Sequence, residues 1–195
     1  MKMKMIENMQ EYYDHYFRWL GDVKEVHTYD ENNPYKVNVW CFDKTYPDFP
    51  EYTVLATLGV YKSEGTVGGL REVMTVTNSS YELVSYVLYE SVRYLVGEGV
   101  KLDAGFSLNG IENISEEFVE KYGKSAIMFV DGFGFPEEFW KVGREGAMLS
   151  CVFLTEDEYE YIVQYGIGNF LGEFINTDVK AFDIERESIF KGNKH

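Results

Sequence analysis

Histidine, cysteine, proline and cationic side chains are all scarce in this 195-residue sequence, and each shortage removes a class of chemistry. The 18 Lys and Arg stand against 33 Asp and Glu, leaving a formal charge of -15. Such a field repels phosphate backbones and anionic lipid, so neither a nucleic-acid partner nor a membrane surface is expected. The three histidines, His15, His27 and His195, form no His-x-x-x-His or His-Glu-x-x-His pair, which argues against a metal centre. Cys41 and Cys151 each lie inside an apolar run, where a lone thiol behaves as a small buried hydrophobe. Of the four prolines, Pro47 and Pro50 bracket Asp48-Phe49 and make Tyr46–Pro50 a connection, because proline brings no backbone donor to a sheet. No stretch is apolar for long enough to cross a bilayer, and Lys2 and Lys4 precede no signal-peptide core. A soluble cytoplasmic chain is expected.

What is abundant is apolar and aromatic. A hydrophobic fraction of 45% and an aromatic fraction of 17% exclude a disordered chain, and 195 residues suit a single domain spanning 1–195 with its own core. Sixteen tyrosines offer both sheet-face packing and interface anchors. The acids are uneven: residues 1–97 carry 14 acids and 9 bases, whereas 98–195 carry 19 and 9.

Periodicity orders the chain. Apolar residues spaced by three and four from Met5 to Leu20 predict an amphipathic helix stopped by Gly21. Extended segments at Val23–Tyr29 and Lys36–Asp43 flank an Asn32-Asn33-Pro34 turn, and Tyr52–Val60 and Leu70–Thr77 read as neighbouring strands. Ser79 to Glu82 has capping-box form and opens a helix over 80–96, closed by Gly97. A short strand at Phe106–Leu108, a helix capped by Ser115 through Tyr122 and a strand at Ser125–Val130, ended by Gly132 and Gly134, follow. A last strand, Ala147–Leu154, enters a second capping box, Thr155 to Glu158, and a helix over 155–166. Beyond Asn176 periodicity is lost, and Lys191–His195 should fray.

No catalytic constellation emerges. The Gly65–Gly69 segment lacks a Gly-Lys-Ser/Thr ending and is read as a strand connection without a following helix, so it offers no phosphate cradle. Asp131-Gly132-Phe133-Gly134 has none of the companion motifs of a kinase metal loop. No segment spaces oxygen ligands as a calcium loop does, and no cofactor is called for. Clustered carboxylates at Glu116, Glu117 and Glu120, and at Glu156, Asp157, Glu158 and Glu160, fit solvated helix starts favoured by the dipole. A small hydrolase would need His27 or Cys41 to meet an acid in a pocket.

Several segments in order give the sequence a lineage. Thr57-Leu58-Gly59 ends one strand, Leu70-Arg71-Glu72-Val73-Met74 forms the next, Leu102-Asp103-Ala104-Gly105 follows the long helix, and an apolar Ala126–Val130 strand precedes Leu154-Thr155-Glu156-Asp157-Glu158-Tyr159. Over roughly 35–175 this pattern resembles the suppressor-of-fused domain family, with Val73 where a leucine is more usual. The sequence ends soon after the domain, as in the short bacterial type, so the additional domain of animal members is not expected. The resemblance implies a protein that is not an enzyme. It also implies an association with polymorphic toxin systems, in which bacterial members serve as immunity proteins.

The expected fold is therefore α+β, a central, mostly antiparallel sheet flanked by the 5–20, 80–96 and 155–166 helices. The expected function is that of a cytosolic immunity protein occluding a toxin domain encoded nearby, with a regulatory peptide-binding scaffold or a small hydrolase as alternatives. Residues 112–160 hold 12 acids and 4 bases, so the expected partner surface comprises Glu112, Glu116, Glu117, Glu120, Glu137, Glu138, Glu156, Asp157, Glu158 and Glu160.

Overall fold

Strands in which nearly every residue is apolar must be covered on both faces, and the chain supplies a layer for each. The computed structural model describes residues 2–29, 36–42, 52–78, 81–131, 135–177 and 182–191. Among these, strands β1 (Val23–His27), β2 (Asn38–Phe42), β3 (Thr53–Leu58), β4 (Arg71–Thr77), β5 (Ser107–Asn109), β6 (Ala126–Val130), β7 (Lys141–Val142) and β8 (Gly146–Leu154) form one sheet. Its order is β1-β2-β3-β4-β8-β6-β5, with β7 beside the start of β8. Every pairing is antiparallel except β4 with β8, which run parallel from Arg71 opposite Ala147 to Met74 opposite Ser150.

Strand alternation sorts the core in two. On one face Trp40, Phe42, Val54, Ala56, Met74, Met128 and Val152 pack with Tyr12, Tyr16 and Leu20 of helix α1 (Lys2–Leu20), Ile162 of α5 (Glu156–Tyr165) and Phe170 and Phe174 of α6 (Ile167–Ile175). Their neighbours Val39, Cys41, Leu55, Val73, Ile127, Phe129 and Leu149 face the other way. They pack against Val84, Leu88, Val92 and Leu95 of α3 (Tyr81–Gly97) and Phe118 and Tyr122 of α4 (Glu116–Tyr122).

The expected α+β class, the antiparallel bias and the three flanking helices are all present. Ser115 caps α4 by accepting the Phe118 N–H at 3.2 Å, and Thr155 with Glu158 forms the expected capping box. Two segments depart from expectation. The Gly65–Gly69 connection is partly helical: a 3-10 turn at Val60–Ser63 runs into a single α-turn, α2 (Glu64–Val67), because burying Val60, Tyr61 and Val67 outweighs the helix penalty of Gly65. The second departure is α6, which the sequence hides. Gly168 and Gly172 argue against a helix there, yet Phe170 and Phe174 at four-residue spacing anchor one. The Asn32–Pro34 turn, the Tyr46–Pro50 connection, the Ser79 cap, the glycine stop at 132–134 and residues 192–195 of the expected frayed end lie outside the described residues.

Candidate functional site

The segment Thr57-Leu58-Gly59 and the β4 residue Glu72 meet in the interior. Glu72 points to the α1 face and is fully buried. Its Oε1 accepts the N–H groups of Gly59 at 2.7 Å and Tyr61 at 3.1 Å, and its Oε2 accepts the Thr57 hydroxyl at 2.6 Å. Thr57 Oγ1 in turn accepts the Val73 N–H at 2.8 Å, so one side chain bridges the two strands where their backbone ladder opens. From α1, the Tyr16 hydroxyl donates to the Thr57 carbonyl at 2.5 Å. Glycine is obligatory at the bend: Gly59 has φ 129, and a Cβ there would lie 2.6 Å from the Lys36 carbonyl oxygen. Desolvation pushes the Glu72 carboxyl up to about 7, against the pull of its three donors. A fully enclosed acid cannot reach a substrate, so this cluster fixes the exit of β3 and the docking of α1.

A second buried carboxylate lies at the start of α5. Glu158 reaches back to the Thr155 N–H at 3.0 Å while Arg186, from the returning segment 182–191, grips it in bidentate fashion: Nη1 to Oε1 at 2.5 Å and Nη2 to Oε2 at 2.9 Å. Arg186 Nη2 also donates to the Phe153 carbonyl at 3.0 Å, and its guanidinium lies 5.0 Å from the Phe174 ring centroid. The buried Lys124 amine donates to the Arg186 carbonyl at 2.6 Å. Burial, reinforced by the Arg186 charge, draws that amine down to about 8.

This corrects one member of the expected acidic surface, since Glu158 is enclosed and ion-paired rather than solvated. The other nine are exposed, but they do not share one face. Glu116, Glu117 and Glu120 ride on α4, packed on the α3 side, with Glu112 in the 3-10 turn just before it. Glu137 and Glu138 belong to a 3-10 turn whose Phe139 and Trp140 pack on the opposite face, and Glu137 is paired with Lys141. Glu156 and Asp157 open α5. There Asp157 joins Tyr122, Gly123, Thr155, Glu185 and Lys191 around a shallow cleft of about 390 Å³, which links the end of α4 to the start of α5. Glu160 lies one turn on.

The hydrolase alternative finds poor chemistry. Cys41 and Cys151 are buried on β2 and β8, and desolvation pushes the Cys41 thiol up to about 12 and Cys151 well above its ordinary value. Neither is an activated thiolate. His27 bonds the Tyr29 hydroxyl through Nδ1 at 2.8 Å and sits 3.3 Å from Glu25, a local contact within and beside β1. His15 is packed under α1, bonded to the Phe139 carbonyl. Among the described residues no group of three or more His, Cys, Asp or Glu is placed to hold a metal, and no helix is long and apolar enough to cross a membrane.

Among the described residues, a depression of about 620 Å³ is lined by α3, β5 and the turn that follows β5. Tyr86 and Tyr94 of α3 and Leu108 and Ile114 supply its apolar walls, and the Glu90–Arg93 ion pair supplies charge. Nothing in the spacing of these residues along the chain suggests the groove, because it forms only when α3 crosses the end strand.

No family model and no curated protein matches the sequence. Solved structures do match the fold. A SUFU (suppressor of fused protein) homologue from Neisseria gonorrhoeae superposes with a TM-score of 0.72 at 14% identity, over 94% of this chain and 97% of that one. A chain of the Sufu–Fu complex gives 0.62 at 10% identity, over 94% and 91%. Drosophila Suppressor of Fused gives 0.60 at 10% identity, and 94% of this chain covers 50% of that protein. The chain folds as a suppressor-of-fused-like domain.

Proposed function

We propose that the chain is a cytoplasmic protein-binding domain, an immunity protein that neutralises a toxin domain encoded nearby by occluding it. The observation that carries this reading is the exposure of Glu112, Glu116, Glu117 and Glu120 at α4 and of Glu156, Asp157 and Glu160 on α5, the end of the first helix and the start of the second meeting at the Tyr122–Asp157 cleft, on a chain of net charge -15. A nuclease or another enzyme with a basic groove would be drawn to such a surface and blocked by it. Supporting this, the solved Sufu–Fu complex is an assembly of protein with protein.

The test is co-expression with the adjacent gene product, followed by association kinetics in low and high salt. Rescue from toxicity is expected, with an on-rate that falls as salt rises and falls again in the triple variant Glu116→Gln, Glu117→Gln, Glu120→Gln. A salt-independent rate would remove the electrostatic element, and failure to bind any neighbouring product would remove the immunity reading.

A second reading, a scaffold that accepts an extended peptide, is favoured by the α3–β5 groove. β5 is bonded to β6 on one side only among the described residues, and an end strand of this kind offers backbone donors and acceptors to an extended peptide.

A further inference from the structure

The two strands that end the sheet are finished differently. β1 carries Lys24, Glu25 and His27, and its register against β2 slips between Val23 and Glu25, a bulge and charges of the kind that keep an end strand from accepting another. β5 reads Ser107-Leu108-Asn109, in unbroken register with β6 and without charge or proline.

The ladder decides which backbone groups of β5 are engaged. Opposite residues of an antiparallel pair alternate between those that exchange backbone bonds and those that do not. The Phe129 N–H donates to the Phe106 carbonyl at 2.8 Å, and the Gly110 N–H donates to the Ser125 carbonyl at 3.2 Å. With Leu108 opposite Ile127 in the same register, the bonding positions are Phe106, Leu108 and Gly110. The N–H and C=O groups of Ser107 and Asn109 therefore turn away from β6, and no strand lies beyond them among the described residues.

The 620 Å³ depression adjoins this edge, since Leu108, Asn109 and Gly110 line it. Tyr86, Glu90 and Tyr94, in four-residue steps along one side of α3, line it as well, and Tyr94 is 50% exposed. Its charges, Glu90 and Arg93, pair with each other at 2.6 Å. The Leu108 side chain packs on the α3 side of the sheet. Directly opposed residues share a face, so a strand added beside β5 would bring the side chain opposite Leu108 to that same side.

We propose that β5 takes up an extended segment of a protein partner as a further strand. Its backbone bonds to Ser107 and Asn109, and one apolar or aromatic side chain, opposite Leu108, enters the depression among Tyr86, Tyr94 and Ile114. This rests on the scaffold reading and gives it a register and a side-chain preference. It also gives it an affinity that salt hardly changes, because the charges in the depression are already paired.

The probe is the uncharged, capped peptide Gly-Thr-Thr-Phe-Thr-Thr-Gly, titrated to millimolar concentration into the isotopically labelled chain and followed by NMR. Amide shifts are expected at residues 106–110 and 86–94, largest at Ser107 and Asn109. N-methylation of the two threonines that flank the phenylalanine removes the N–H groups facing β5 and should weaken binding by roughly tenfold or more. Methylation of the phenylalanine, whose N–H faces outward, should leave it within about threefold. Tyr94→Ala, a change at a half-exposed position, should weaken binding several-fold, and added salt should alter it by less than about twofold. Equal weakening by both methylations would overturn strand addition, as would shifts confined to α3. An edge without shifts would do the same, because backbone bonds ask little of the peptide sequence. Binding along β1 or elsewhere sinks this edge and leaves the scaffold reading standing. Shifts nowhere on the chain remove both.

Discussion

Glu72 and Glu158 are both enclosed carboxylates, yet the protein keeps them in different ways. Glu72 is surrounded by uncharged donors: two backbone N–H groups at a bend and one hydroxyl. Glu158 is matched by a guanidinium that arrives from 28 residues downstream and brings its own chain segment with it. The first arrangement costs desolvation that neutral donors only partly offset, and the raised pKa of Glu72 is the result. The second turns a buried charge into a clasp. Local bends tolerate an acid of the first kind; holding a segment without regular structure against a helix takes the second.

The largest effect is expected at the clasp. Arg186→Met keeps the aliphatic stem but leaves Glu158 charged, enclosed and dependent on the N–H groups of Thr155 and Ile189. Breaking a buried pair from one side costs about 3–5 kcal/mol, and replacing both partners by residues of matched size is often neutral. Urea denaturation should therefore show a large loss for Arg186→Met and a substantial recovery when Glu158→Gln is added. Equal losses in the single and double variants would show that the guanidinium contributes mainly through Phe153 and Phe174, and the contrast with Glu72 would dissolve.

The same two sites mark what can be read from the sequence. Thr57-Leu58-Gly59 and Arg71-Glu72 are close in the chain and sit in strongly patterned strands, so strand periodicity alone makes their adjacency visible; their hydrogen bonds are not. The Glu158 capping box is equally visible, since its spacing of three encodes both of its local bonds. What hides is Arg186. It lies in a stretch where Phe182 and Ile184 are buried without helix or strand spacing, so no period announces that the segment folds back. The helix start then looks solvated, and Glu158 is misread as surface. α6 hides for a related reason, because local propensity counts Gly168 and Gly172 against it while two phenylalanines decide the outcome through tertiary burial. The acidic partner set is visible as composition, but composition does not assign faces, and the sheet separates Glu137 and Glu138 from the α4 group.

A pH titration sharpens the contrast further. Glu72 in the folded chain titrates at about 7 against an ordinary 4.5, so between those values the folded state holds a proton that the unfolded state has released. Stability from this group is therefore greatest at and below about 4.5 and is lost as pH rises towards 7, a swing on the order of 3 kcal/mol. Glu72→Gln should flatten that slope. Its amide oxygen can still accept from Gly59 and Tyr61, and its NH₂ can donate to Thr57 once the hydroxyl turns to the Val73 carbonyl at 3.2 Å. The difference in unfolding free energy between parent and variant, measured from pH 4.5 to 8, isolates the contribution of this carboxyl. A difference independent of pH would mean that Glu72 stays ionised throughout, as well served by its neutral donors as by a cation.

The smallest of the three effects belongs to the hydroxyl that joins the strands. Thr57→Val keeps the shape of the side chain but removes the acceptor of the Val73 N–H and the donor to Glu72 Oε2. One unsatisfied buried donor costs about 1–3 kcal/mol, which a thermal melt resolves. A second readout separates this loss from simple repacking. The Thr57 bond favours the ionised carboxylate, so its removal should raise the Glu72 titration above its parental position and carry the pH slope of stability upward with it. Thr57→Ser should restore both. Should Thr57→Val destabilise the fold while leaving the Glu72 titration in place, the hydroxyl serves the Val73 backbone alone, and the cradle around Glu72 reduces to the two N–H groups of the glycine bend.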